Sequence, residues 1–169
     1  MRRAAAEKRI APSIEIVVED KGWRGVAKDL RTQISRAAKL ALALALAHAK
    51  DRPLPPELTI LLTSDERVRT LNRQYRGKDR PTNVLSFPAA AGTYLGDIAI
   101  AYGVTAGEAE RAGKLPLQHV LHLVVHGVLH LLGYDHEAPK QAKAMESLEA
   151  DILALMGIPD PYRRHGRAA

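Results

Sequence analysis

The chain has 169 residues, no cysteine and a formal charge of +6 at neutral pH. That length suits one domain with a sizeable core, and the missing cysteines exclude a disulfide framework and a thiolate metal site, as a reducing compartment would favour. The basic balance favours polyanionic partners. The longest apolar run, Leu40 to Ala49, falls far short of the ~20 residues that cross a bilayer. Met1-Arg2-Arg3 is followed by no apolar stretch of the signal-peptide kind. The expectation is a cytoplasmic protein with no membrane partner.

Ser13 to Val18 alternates and then runs apolar, which predicts a first strand. Residues 25 to 49, rich in Ala and Leu, predict a long helix with His48 complementing the dipole at its end. Asp51-Arg-Pro-Leu-Pro-Pro must be a loop. Leu58 to Thr63 predicts a second strand. Ser64 then caps a helix to about Tyr75, with Asp65 and Glu66 in its first turn. A basic loop, 76 to 82, leads into a short third strand from Asn83 to Phe87 that Pro88 ends. Tyr94 to Ala101 predicts a fourth strand, with Asp97 inside it as a carboxylate that needs a partner, read as a buried structural hub. Thr105-Ala-Gly-Glu108 has capping-box spacing and predicts a short helix opening there. Pro116 suits the first turn of a helix ending near Gly133, and a last helix is expected from Pro139 to Met156. Strands mixed with helices and no linker predict a single α/β layered domain.

The helix from Pro116 is apolar around most of its circumference, so it should be buried. It nonetheless carries His119, His122, His126 and His130 within about 80° of one another at the ~3.6-residue period. Protonated histidines would repel one another there, whereas neutral ones on a metal would not. His126 and His130, one turn apart, can share one ion. Gly133 can take the left-handed conformation that turns the chain back, and His136 then arrives as a third ligand. Three imidazoles with a fourth position left open describe a catalytic zinc site, although nickel, copper or iron also bind imidazoles. His122 and Asp135 are candidates for the shell behind the ligands, with a turn role favoured for Asp135; His119 reads as a rim residue. The spacing matches the zinc proteases called metzincins, except that Gly127 stands where their general-base Glu belongs.

A second stretch, Leu71 to Pro88, crowds arginines and lysines between a helix end and a strand. Taken alone it is a solvated basic surface. Beside a metal it becomes a phosphate clamp, because arginine can grip two phosphate oxygens at once. Lys78, Asn83 and Ser86 in this stretch are candidate substrate contacts.

Together these stretches resemble the YbeY family of bacterial single-strand-specific endoribonucleases, which take part in ribosomal RNA maturation. The similarity rests on Tyr75-Arg76-Gly-Lys-Asp-Arg-Pro-Thr-Asn-Val-Leu-Ser-Phe-Pro88, Leu95-Gly-Asp-Ile98 and His126-Gly-x-Leu-His130-Leu-Leu-Gly-Tyr-Asp-His136. It runs from about residue 13 to Asp160-Pro-Tyr162. The resemblance implies His126, His130 and His136 as metal ligands, Arg76 as the functionally important arginine, and a mixed four-stranded α+β sheet packed with helices around a metal cleft. Residues 11–162 would form the hydrolase domain, with 1–10 and 163–169 as basic tails.

The expected activity is zinc-dependent endonucleolytic cleavage of single-stranded RNA in ribosomal RNA maturation and ribosome quality control. One zinc ion is the expected cofactor. Ribosomal RNA precursors and the small ribosomal subunit are the expected partners, and no DNA. The metal would activate the phosphodiester or a water, and Arg76 would neutralise charge on the phosphate. No general base presents itself, and either water or the adjacent 2′-OH could be the nucleophile. Two rivals stand beside this reading: a metalloprotease-like hydrolase, which Gly127 counts against, and a non-catalytic ribosome assembly factor with a structural metal.

Overall fold

Alternation shapes the first strand, β1 (Ser13–Val18), which turns Ile14, Ile16 and Val18 inward and leaves Ser13, Glu15 and Val17 exposed. The computed structural model describes residues 11–47, 56–90 and 92–163. Helix α1 (Leu30–Leu46) follows, then β2 (Glu57–Thr63), α2 (Asp65–Arg76), β3 (Val84–Pro88), β4 (Tyr94–Ala101), α3 (Tyr102–Arg111), α4 (Pro116–Leu131) and α5 (Pro139–Ala154). The four strands form one mixed sheet in the order β1-β2-β4-β3, in which β1, β2 and β4 are parallel and β3 runs antiparallel to β4. Helices α1, α4 and α5 cover one face around Ile34, Leu42, Ile60, Ile98, Val128 and Ile152. Helices α2 and α3 cover part of the other face around Val68, Leu85, Ala99 and Ala101. No helix of the described residues is long and apolar enough to cross a membrane.

Three local expectations are corrected. The first long helix begins at Leu30, not residue 25, because Lys21–Gly25 winds into a 3-10 turn. The Asp20 carboxylate accepts from the Gly22 N–H at 2.7 Å, and the turn seats Trp23 in the core. Residues 48 and 49, His48 among them, lie outside the described residues. The capping box at Thr105 does not form. Strand β4 runs straight into α3 at Tyr102, and Thr105 is buried inside the helix. The cap comes from a distant residue instead: Asp65 Oδ1 accepts from the Val104 N–H at 3.0 Å. Asp97 is exposed rather than buried, since α2 and α3 stop short of it, and it accepts from the Tyr94 hydroxyl at 2.6 Å.

Helix α4 crosses the sheet closely at Gly127. A Cβ there would stand 3.0 Å from Ile98 Cδ1 and Cγ2, so position 127 faces the core rather than the solvent side of the histidines. Overpacking of this kind costs about 1–3 kcal/mol, and a buried unpaired carboxylate adds to that. Gly127→Glu is therefore expected to lower the melting temperature and to gain no proteolysis. Casein hydrolysis by a stably folded Gly127→Glu, absent in wild type, would contradict this.

Candidate metal centre

Helix α4 places His126 and His130 one turn apart on the face opposite its apolar contacts. Its end is set by Gly133, whose φ of 92° no side-chain-bearing residue adopts comfortably. The Tyr134 N–H returns to the Leu129 carbonyl at 3.0 Å. Asp135 then organises the turn: its Oδ1 accepts from the N–H groups of His136 at 2.6 Å and Glu137 at 3.2 Å. The result is a triad, with one ring nitrogen from each of His126, His130 and His136 all within 4.8 Å of one another.

The protons decide what this triad can do. His130 Nδ1 lies 2.9 Å from the Tyr134 carbonyl, which can only accept, so Nδ1 carries the proton. His126 Nδ1 lies 2.5 Å from Glu149 Oε1. Burial works to raise the Glu149 carboxyl, but hydrogen bonds from His122, His126 and Tyr162 and the attraction of His126 bring it down to about 2. Glu149 is thus an anion, and His126 Nδ1 donates to it. This carboxylate's contribution to stability is complete above about 4.5 and fades as pH falls toward about 2. Desolvation, then repulsion from His126 and His136, lowers the His130 pKa and so favours the neutral ring.

In the neutral tautomers that these bonds select, both Nε2 atoms are bare lone pairs facing each other at 2.9 Å, and His136 Nδ1 stands 3.1 Å from His130 Nε2. Converging acceptors repel unless a cation lies between them. Ligands of a tetrahedral zinc ion sit about 3.3 Å apart at Zn–N bonds of ~2.05 Å. The donor set fits such an ion.

Behind the triad lies a carboxylate that the sequence reading missed. Glu149 of α5 is fully buried and accepts from His126, from His122 Nε2 at 3.1 Å and from the Tyr162 hydroxyl. His122 therefore supports the triad through Glu149 rather than by touching a ligand's nitrogen. The signal was present in the sequence: Glu149 shares the helical stripe of Met145, Ile152 and Leu153, and an acid at a core position demands a partner. Such partners orient metal-binding imidazoles, and their loss typically costs about 10–100-fold in metal affinity. Glu149→Gln is expected to show that loss in chelator competition, with the fold retained; unchanged affinity would remove Glu149 from the centre.

The basic stretch adjoins this centre through β3. Arg76 Nη2 donates to the Ser86 carbonyl at 3.3 Å, and Ser86 Oγ donates to the Gly127 carbonyl at 3.3 Å, next to His126. Arg69 is bound by both oxygens of Asp79, at 2.9 and 3.0 Å, with Arg73 3.9 Å from the same carboxylate. Arg76 and Lys78 are exposed and have no carboxylate partner among the described residues. Asn83 is used within the fold: its Nδ2 reaches Glu108 at 3.0 Å and its Oδ1 accepts from the Val84 N–H at 2.7 Å, which argues against a direct hold on substrate. His119 pairs with the same Glu108 at 2.8 Å, and burial lowers its pKa. A cavity of about 310 Å³ lies beside His119 and His122, away from the triad.

The sequence model of a family described as endoribonuclease YbeY matches residues 19–157. The chain belongs to the YbeY family. Proteins named endoribonuclease YbeY from Rhodopseudomonas palustris (strain BisB18) and Nitrobacter winogradskyi are 46% and 45% identical to it. Those matches cover 94% and 95% of this chain and 96% and 90% of the relatives. The solution structure of TM1509 from Thermotoga maritima is similar at a TM-score of 0.53 and 25% identity, over 89% of this chain and 99% of that one. The YbeY match spans Arg76, the triad and Glu149; Tyr162 falls beyond it.

Proposed function

We propose that this chain is a zinc-dependent, single-strand-specific endoribonuclease that acts on ribosomal RNA precursors, at the small ribosomal subunit, in the cytoplasm. What supports the reading most is the pair of imidazole nitrogens converging with a third beside an arginine that has no carboxylate partner among the described residues. His126, His130 and His136 hold the ion, which when bound supplies Lewis-acid activation of the phosphodiester. Glu149 fixes the His126 ring with its Nε2 outward, and the Tyr134 carbonyl does the same for His130. Arg76 grips the phosphate, with Lys78 in the loop after α2 and Ser86 on β3 as further contacts. Residues 11–162 are the hydrolase domain in this reading, and the basic tails 1–10 and 163–169 add non-specific phosphate attraction. The nucleophile is water or the neighbouring 2′-OH, and the product ends distinguish them, since the latter leaves a cyclic phosphate.

The test is parallel incubation of metal-replete protein with single-stranded RNA, duplex RNA and casein. Cleavage of the single strand alone is expected. Casein hydrolysis without RNA cleavage would favour a protease, and no cleavage of any substrate would favour an assembly factor.

A further inference from the structure

Given the ribonuclease reading above, we infer that Tyr75 is a stacking platform that selects an unpaired base beside the phosphate held by Arg76. Tyr75 occupies the last turn of α2 and is 63% exposed, against 36% for Tyr94 and 41% for Tyr162. Those two tyrosines spend their hydroxyls on structure, Tyr94 on Asp97 and Tyr162 on Glu149. The Tyr75 hydroxyl has no hydrogen-bond partner among the described residues, and the ring's aromatic neighbour is Phe87, with centroids 5.2 Å apart and planes at 57°. Phe87 lies on β3, an edge strand that no other strand covers on its outer side among the described residues.

The position of this ring matters more than its exposure. Arg76 is the next residue, its guanidinium on the Ser86 carbonyl; Ser86 is next to Phe87 and bonded to Gly127; Gly127 is next to His126. Phe87 and Ser86 point to opposite faces of β3, Phe87 with Tyr75 toward the α2 side and Ser86 toward α4 and the triad. Arg76 meets the Ser86 carbonyl between them, so a strand that wraps this edge can reach ring, cation and triad. In a duplex both faces of a base are already stacked on neighbours, whereas an unpaired base can splay onto an aromatic side chain. A π-face accepts any base, so the platform selects for single strands without selecting a sequence.

The experiment compares wild type, Tyr75→Leu and Tyr75→Phe, all zinc-loaded, on a short single-stranded RNA and on versions with one abasic site stepped along the strand. Leucine keeps an apolar contact on Phe87 and removes the aromatic face. Tyr75→Leu should bind the intact strand about 5- to 100-fold more weakly, and Tyr75→Phe should bind like wild type. At one position the abasic site should cost wild type the same factor and cost Tyr75→Leu nothing further. Equal losses on intact and abasic strands at every position would mean the ring only supports Phe87, and would overturn the inference. Wild-type binding by Tyr75→Leu would overturn it as well, while leaving the ribonuclease reading intact. A wild-type protein that neither binds nor cuts RNA removes both.

Discussion

Replacing Arg76 by Glu should lower single-turnover cleavage of a short single-stranded RNA about a hundred- to a thousand-fold, with metal content and fold unchanged. That is the usual effect of removing one preorganised electrostatic contact to a transition state, on the order of 3–4 kcal/mol. Arg76 is exposed, and among the described residues its guanidinium makes a single hydrogen bond, to the Ser86 carbonyl at 3.3 Å, so its replacement leaves none of their buried groups stranded. Arg76→Lys should also lose much of the rate, because a point charge lacks the planar two-pronged donor. Neutralising Arg163, Arg164 and Arg167 should weaken RNA binding only modestly and mostly at low salt. Near-wild-type rates for Arg76→Glu with metal bound would remove Arg76 from the reaction and leave the basic loop as ordinary surface.

His130→Ala should abolish cleavage and release the metal. His130 is the middle member of the triad: its Nε2 is 2.9 Å from the nitrogen of His126 and 3.1 Å from that of His136. Two remaining imidazoles bind zinc far more weakly. Because ion binding is linked to folding, the variant should also melt below metal-loaded wild type and no longer respond to added zinc. Full activity of His130→Ala after removal of free metal would contradict the assignment.

The parts of this centre that were legible in the sequence are those governed by local geometry. One helical turn between His126 and His130, a glycine able to reverse the chain and a histidine three residues beyond it are all short-range facts. The Ser64 cap, whose hydroxyl accepts from the Arg67 N–H at 3.2 Å, and the alternation of β1 are of the same kind. What was missed depends on contacts between residues far apart in the chain. The α3 cap comes from Asp65, 39 residues before the amide it meets, so the local capping-box pattern at Thr105 misled. Glu149 meets His126 across 23 residues, and its buried carboxylate was visible only as an acid on an apolar stripe. Asn83 lies in a stretch rich in phosphate-binding side chains, yet its amide ties β3 to α3, which only the packing of those elements reveals.

The close approach at Gly127 gives the missing protease base a physical reason. In the sequence it is a substitution in a familiar pattern. In the fold it is the point where α4 packs so closely on Ile98 that a Cβ would stand 3.0 Å from its side chain, and Ile98 would have to shift to admit one. The same contact brings Ser86, and through it Arg76, alongside the triad.

Elemental analysis of tag-free wild type and His130→Ala, purified in parallel, tests the central claim most directly. A single ion held by three neutral imidazoles predicts about one equivalent of zinc in wild type and under about 0.2 in the variant. Under about 0.2 equivalents in both proteins, or about one in both, would contradict it.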